Sequence, residues 1–351
     1  MKKLLLIGSN AGKVHLKNFL GLVQSYFDDI LVVSDYPVDF APSKRVSFSL
    51  RNPINIYRSI QKLRSIIKEF QPTIIHVHQV NSYAYISGKA NTFNIPMVLT
   101  AWGSDVLLLP KKSMFHRWLV KQGLKRAKII TADSYQMKSV ILALCPTSTV
   151  VNANFGVNVD LTTALSAARE TVIYSNRMHE PLYQVVEILE GFKDYVSSTP
   201  AEMIIAGSGS LTEKLQAIAA KEHLTSHLTF VGFVTKSKNK ENYLKSKFFV
   251  SIPTSDGTSI SLLEAMAYGC IPILSDIPAN NEWIDDGVNG IIKKEGESLA
   301  HALTRSAQLD ASTVQAINRK IIIERATKEA NKKIFLSIYD ALIASADKAK
   351  R

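Results

Sequence analysis

Long hydrophobic runs are missing from this 351-residue sequence: stretches such as Leu4–Ile7, Met97–Leu99 and Val140–Cys145 stop after a few residues, where a membrane-spanning helix needs ~18. No transmembrane helix is expected. Met1-Lys2-Lys3 ahead of four apolar residues has the look of a secretory leader, but Gly8-Ser9-Asn10 ends the run too early, and the segment reads as a first buried strand. Cysteine is nearly absent. Cys145 and Cys270 lie far apart without metal-ligand spacing, which argues against a disulfide framework or a zinc module and fits a reducing cytosol. Acidic residues are scarce in one half only: positions 1–160 hold 8 Asp and Glu against 20 Lys and Arg, whereas positions 161–351 hold 22 of each sign. The whole formal charge of +12 therefore sits in the first half. A field of that size attracts an anion, whether nucleic acid, an anionic membrane surface or a phosphorylated substrate, unless it is only a solvated surface. Nucleic acid fits least, because no helix-turn-helix, zinc finger or aromatic RNA platform accompanies the charge.

With 46% hydrophobic and 21% charged residues, the composition is globular, and the length suits roughly two domains. Short apolar runs at Lys3–Ile7, Ile30–Val33, Thr73–Val77, Met97–Thr100, Lys128–Thr131 and Thr149–Val151 alternate with segments of helical period. Asn52-Pro53 illustrates the rhythm: an N-cap and a first-turn proline precede Ile56, Ile60, Leu63, Ile67 and Phe70, and Gln71-Pro72 stops the helix before the next strand. The same alternation returns with strands at Thr171–Tyr174, Met203–Ala206, Phe248–Ile252 and Ile271–Leu274 and helices from about Tyr183, Leu211 and Ser259. This predicts an α/β fold of two Rossmann-like domains, each around a mainly parallel sheet, with ligands at the carboxyl ends of the strands and a cleft where the halves face each other. The predicted boundaries are 1–158, 159–330 and a C-terminal helix, 331–351, packing back toward the first domain, within one helical stretch from Ala311 to Ala349.

The strongest local signal is Asp256-Gly257-Thr258-Ser259-Ile260-Ser-Leu-Leu-Glu264-Ala-Met-Ala-Tyr-Gly269. A buried strand runs into a loop with an acid and a glycine, and a helix starts at about Thr258 or Ser259; its free N–H groups and dipole favour a phosphate. Glu264 then falls about a turn and a half into an otherwise apolar stretch, where a carboxylate needs a polar partner such as a ribose diol. The plainer reading, a solvent-facing Glu264 with Asp256 as a loop cap, stays open on spacing alone.

Asp256-x7-Glu264 resembles the acid-x7-acid motif of the retaining glycosyltransferases of family four, which have the GT-B fold. Further likenesses follow in order: Arg177 after a strand, Ala206-Gly207-Ser208-Gly209, Val231-Gly-Phe-Val234, Pro278-Ala-Asn-Asn-Glu282-Trp-Ile, and Gly287-Val-Asn-Gly290. In the first half, His76-Val-His78, Thr100-Ala-Trp102-Gly-Ser-Asp105 and Asn154-Phe-Gly156-Val-Asn158 are similar to the family's acceptor-domain strands, loop and interdomain turn. The resemblance implies an acceptor-binding first domain, a donor-binding second one, and transfer of a hexosyl group from a nucleotide-diphosphate sugar to a saccharide acceptor, with retention, in cell-surface polysaccharide or glycoconjugate synthesis; the charge of the first half points to an anionic, lipid-linked saccharide, with a soluble saccharide as the alternative. Other outcomes for the same architecture are a nonhydrolysing sugar-nucleotide epimerase and a noncatalytic sugar-nucleotide-binding subunit.

Residue by residue, the resemblance implies catalytic work for Asp256, Glu264 and Arg177: Glu264 holds the donor ribose, Asp256 a sugar hydroxyl, and Arg177 the diphosphate. The amides of Gly257, Thr258, Ser259 and Ile260 line sugar and diphosphate, and Val234 and Thr235 meet the base. Gly12, Trp102, Asp105 and Gly207 complete the implied substrate-binding set. No cofactor and no metal are implied. Two departures stand out: Leu182 replaces the family's lysine after the arginine, and Trp102 replaces the histidine before Gly-x-Asp, offering a stacking face instead.

Three further motifs have plainer readings. Gly8-Ser-Asn-Ala-Gly12-Lys13 is one residue short of a Walker A loop and has Val14 where Ser or Thr belongs. His76 and His78, two apart on a strand, read better as satisfied core histidines than as metal ligands. Lys111–Lys128 mixes seven Lys and Arg with Met114, Phe115, Trp118 and Leu119, as a membrane-surface helix does, but its wheel sorts the two kinds poorly. A cytoplasmic protein, peripheral on the inner face of the membrane, is the expectation.

Overall fold

The structure, a computed structural model, describes residues 1–350 without the side chains at 347, 349 and 350. The chain divides into two compact units, one of residues 1–156 together with the segment from Lys328, the other of Val157–Thr327. The boundaries drawn from the sequence lie at 158 and 330.

In the first unit, seven strands form a wholly parallel sheet: β1 (Lys3–Ile7), β2 (Asp29–Ser34), β3 (Ser43–Arg45), β4 (Ile74–His78), β5 (Met97–Thr100), β6 (Ile129–Ala132) and β7 (Val150–Asn152). Their order is β3-β2-β1-β4-β5-β6-β7. The strands read as continuous apolar runs because helices cover both faces. Leu5, Ile7, Ile75 and Val77 enter one core, while Leu4, Leu6, Ile74 and Val98 enter the other, as the two-residue repeat of a strand requires. The helices are α1 (Lys13–Val23), α2 (Pro53–Phe70), α3 (Ser82–Ala90), α4 (Ser104–Leu107), α5 (Leu109–Lys112), α6 (Met114–Leu124) and α7 (Tyr135–Leu144). As its sequence dictates, α2 opens with the Asn52 side chain accepting from the Ile54 amide and stops at Gln71 in the left-handed region.

In the second unit, β8 (Val172–Ser175), β9 (Glu202–Ala206), β10 (Leu228–Gly232), β11 (Phe248–Ser251), β12 (Ile271–Ser275) and β13 (Ile291–Lys293) form another parallel sheet, in the order β10-β9-β8-β11-β12-β13. Around it lie α8 (Val185–Val196), α9 (Thr212–Lys221), α10 (Lys236–Lys245), α11 (Ile260–Ala267), α12 (Pro278–Asn281), α13 (Leu299–Ala307) and α14 (Ala311–Ile321). Strands β3, β10 and β13 are absent from the sequence reading. All three are edge strands; β3 is the polar triplet Ser-Lys-Arg and β13 has three residues, too little for periodicity to register.

The helical stretch expected from Ala311 to Ala349 is broken. After α14 comes one π turn, Ile322–Ala326, then Thr327 in extended conformation, and only then α15 (Lys328–Lys350). The break arises because Thr327 bridges Val157, whose amide donates to the Ala326 carbonyl at 2.8 Å. Beyond it, α15 belongs to the first unit, where Phe335, Ile338, Tyr339 and Leu342 join Leu16 and Phe19 in a core cluster. His76 is anchored there. Its Nδ1 lies 2.6 Å from the Tyr339 hydroxyl and its Nε2 2.7 Å from that of Thr100. Full burial lowers its pKa to about 3, so the ring is a neutral core histidine. His78, equally buried, is also held well below the usual value by desolvation.

Candidate functional site

Ligands of an open parallel sheet bind beyond the strands' carboxyl ends where the strand order reverses. In the second unit that point lies between β8 and β11. β8 delivers Arg177 and β11 delivers the loop to Ser259. The Arg177 guanidinium donates from Nη2 to Asp256 Oδ2 at 2.6 Å and from Nη1 to Ser259 Oγ at 2.5 Å, with the Tyr183 ring 4.4 Å beneath it. Ser259 is also the N-cap of α11, accepting from the Leu262 amide. Asp256 Oδ1 accepts from the Gly257 amide at 3.0 Å. A cation, a helix N-terminus and a carboxylate thus meet, and the arginine is largely enclosed, its side chain 10% exposed. Where the resemblance implies Arg177 on a diphosphate and Asp256 on a sugar, the two residues here pair directly with each other.

Glu264 lies further along α11, half-buried rather than exposed. Oε2 accepts from Asn239 Nδ2 at 3.0 Å and from the Tyr243 hydroxyl at 3.2 Å, and burial pushes its pKa above the usual carboxylate value. Asn239 Oδ1 in turn accepts from the Tyr174 hydroxyl at 2.6 Å and from Asn176 Nδ2 at 3.0 Å. Asn176, Asn239 and Tyr243 belong to no motif, and Asn239 sits within the lysine-rich run Lys236–Lys240. That run is the first turn of α10, capped by Thr235, and the four-residue step from Asn239 to Tyr243 places both on one helix face.

Gly207 closes the turn after β9. Its φ is +108°, and a Cβ there would sit 2.6 Å from the Arg177 carbonyl oxygen, so only glycine lets the two loops pass. Val234 and Thr235 follow β10, next to the strongly exposed Phe233. Thr258 Oγ1 accepts from Trp283 Nε1 at 3.3 Å, a contact that no residue spacing signals. Leu182, where lysine was wanting, sits in the Pro181–Tyr183 turn, so this segment offers Arg177 an aromatic face instead.

In the first unit, Gly12, Trp102 and Asp105 come together beyond β1 and β5. A Cβ on Gly12 would be 2.2 Å from the indole, whose Nε1 donates to His78 Nδ1 at 3.0 Å. Asp105 faces inward, accepting from the Val80 amide at 2.6 Å and the Trp102 amide at 3.0 Å. Burial raises its pKa to about 6. Among the described residues no group of three or more His, Cys, Asp or Glu is placed to hold a metal ion.

Residues 163–329 match the family model described as glycosyl transferases group 1, and residues 3–134 match glycosyl transferase 4-like. Both units match glycosyltransferase families. Among curated relatives, the glycosyltransferase match extends to a putative glycosyltransferase EpsD of Bacillus subtilis, 29% identical over 34% of this chain and 30% of the relative. It also extends to alpha-monoglucosyldiacylglycerol synthase of Streptococcus pneumoniae, 22% identical over 45% and 36%. The chain spans about a third of the length of these two relatives. Similar solved structures include sucrose-phosphate synthase from Thermosynechococcus elongatus, with TM-score 0.81, 13% identity and coverage of 98% of this chain and 100% of that one. Anabaena Alr3699/HepE in complex with UDP-glucose gives TM-score 0.79, 15% identity and coverage of 97% and 100%. The fold is that of the GT-B glycosyltransferases: two Rossmann-like domains.

Proposed function

We propose that this glycosyltransferase moves a hexosyl group from a nucleotide-diphosphate sugar to a lipid-linked saccharide on the cytoplasmic face of a membrane, with retention of anomeric configuration, in the synthesis of a surface polysaccharide or glycoconjugate. The observation that carries the reading is Arg177, held by Asp256 and Ser259 at the N-terminus of α11, with the half-buried Glu264 on the same helix. As the sugar–oxygen bond breaks, negative charge grows on the departing diphosphate. A guanidinium and preorganised helix amides stabilise that charge more than they stabilise the bound donor, which is what accelerates transfer. The ribose hydroxyls donate to Glu264, and the diphosphate competes with Asp256 for Arg177, freeing the Asp256 carboxylate for a sugar hydroxyl.

A nucleotide sugar as donor accords with the UDP and UDP-glucose complexes of the structurally similar HepE. The basic first unit is the side to which we assign the anionic acceptor. Labelled donor incubated with the protein and membrane lipid extract tests the reading: transfer puts label in a lipid-linked saccharide, an epimerase returns an isomerised nucleotide sugar, and a noncatalytic binder leaves the donor intact.

A further inference from the structure

Two helices of the first unit expose apolar side chains at the same edge of the sheet. Both α2 and α6 run back toward the start of the next strand, so their first turns lie at the carboxyl edge, and both pack on α3. On α6, Met114 is 81% exposed, Phe115 54% and Trp118 45%. Phe115 stacks on Trp118 at 6.0 Å, and Trp118 leans on Tyr85 of α3 at 5.6 Å. The helix is sorted better than its wheel suggests: Leu119, Val120, Gly123 and Leu124 face the core, so the first turn is left to solvent. On α2, Ile54 and Tyr57 are exposed.

Arg51 and Arg58 flank Ile54 and Tyr57 in the chain, and Lys111, Lys112 and Arg117 lie beside Met114, Phe115 and Trp118; all five are exposed, and none has an ion-pair partner among the described residues. From Ala41 to Ala132 the chain has 15 Lys and Arg and only two acids. Of these, Glu69 is bound to Lys44 at 2.8 Å and Asp105 is buried. The face therefore offers apolar tips in a field of unpaired cations. Nucleic acid would satisfy the cations but has no place for the aliphatic ends of Ile54 and Met114, whereas the interface of an anionic bilayer takes both at once.

We propose that the first turns of α2 and α6 form a docking surface for an anionic lipid bilayer, with Ile54, Tyr57, Met114, Phe115 and Trp118 entering the interface. The inference deepens the membrane-side acceptor of the proposed reaction, but its test reads binding, so a chain without transferase activity still passes or fails it. The full-length protein is floated with vesicles of phosphatidylglycerol and phosphatidylcholine in equal parts and with phosphatidylcholine alone. Binding should require the anionic lipid, fall steeply with added salt, and drop about tenfold both in Phe115→Ser/Trp118→Ser and in Arg51→Gln/Arg58→Gln, with thermal unfolding unchanged. If the serine pair unfolds, Met114→Ser, at a side chain with almost no protein contact, reads the same insertion. Absence of binding, equal binding to neutral vesicles, indifference to either pair of substitutions, or release of the protein from vesicles by an oligonucleotide without loss in the aromatic variant would overturn the proposal.

Discussion

The substitution Glu264→Gln removes a negative charge and little else. The side-chain carbonyl can still accept from Asn239 and Tyr243, which now occupy Oε2, but the other position becomes an amide that donates where a ribose hydroxyl must donate. A hydrogen bond to a charged group is worth about 1.5–3 kcal/mol. At 1.4 kcal/mol per factor of ten, the donor should bind about 10- to 150-fold more weakly. The variant should remain at least as stable as the parent at neutral pH, since burial already disfavours the ionised carboxyl and pushes its pKa up. The same shift sets a pH dependence. The ionised form accepts from both hydroxyls of the diol and more strongly than the protonated one, so parent affinity should rise as pH climbs through the raised pKa, and the Glu264→Gln variant should lack that rise. Calorimetry with UDP and UDP-glucose measures both. Unchanged affinity in a folded variant, with the same pH profile as the parent, would refute the ribose assignment.

Arg177→Ala should lower turnover more than nucleoside affinity, because its charge matters most as the diphosphate departs; lost uridine binding with normal turnover would reverse the assignment. Gly12→Ala should cost about 1–3 kcal/mol in thermal unfolding, since its methyl meets the Trp102 ring, and Trp102→Ala in the same chain should recover part of that; no loss in the single variant contradicts the packing. Asp105 has a folded pKa of about 6 against a usual 3.8, so the folded state binds more protons between those values. Raising pH from about 4 to about 6 should therefore destabilise the parent relative to Asp105→Asn by about 2 kcal/mol, as chemical denaturation at each pH would show; a difference that does not vary with pH refutes it.

The parallel sheets were legible because buried strands such as Leu4–Ile7 and Phe248–Ser251 are unbroken apolar runs between capped helices. The start of α11 was legible because a β-strand, an acid, a glycine and a serine N-cap announce one another locally. What stayed hidden depends on contacts between distant positions. The ion pair of Arg177 with Asp256 joins residues 79 positions apart, and nothing in the spacing foretells it. Asn239 was concealed by its lysine-rich neighbours, while its own side chain turns to Glu264. The break at Thr327 was equally invisible, because α14 and α15 are each amphipathic and only the bridge to Val157 interrupts them.

The most direct test follows a labelled sugar. The purified protein, UDP-glucose and other nucleotide sugars carrying label in the hexose, and a membrane lipid extract are incubated together, and the products are separated into nucleotide and lipid phases. At least one donor should pass its sugar to a lipid-phase saccharide with release of one nucleoside diphosphate per transfer, and Arg177→Ala and Glu264→Gln should depress the yield. Recovery of an isomerised nucleotide sugar, or of every donor unchanged while the protein binds it, would rule out the transfer.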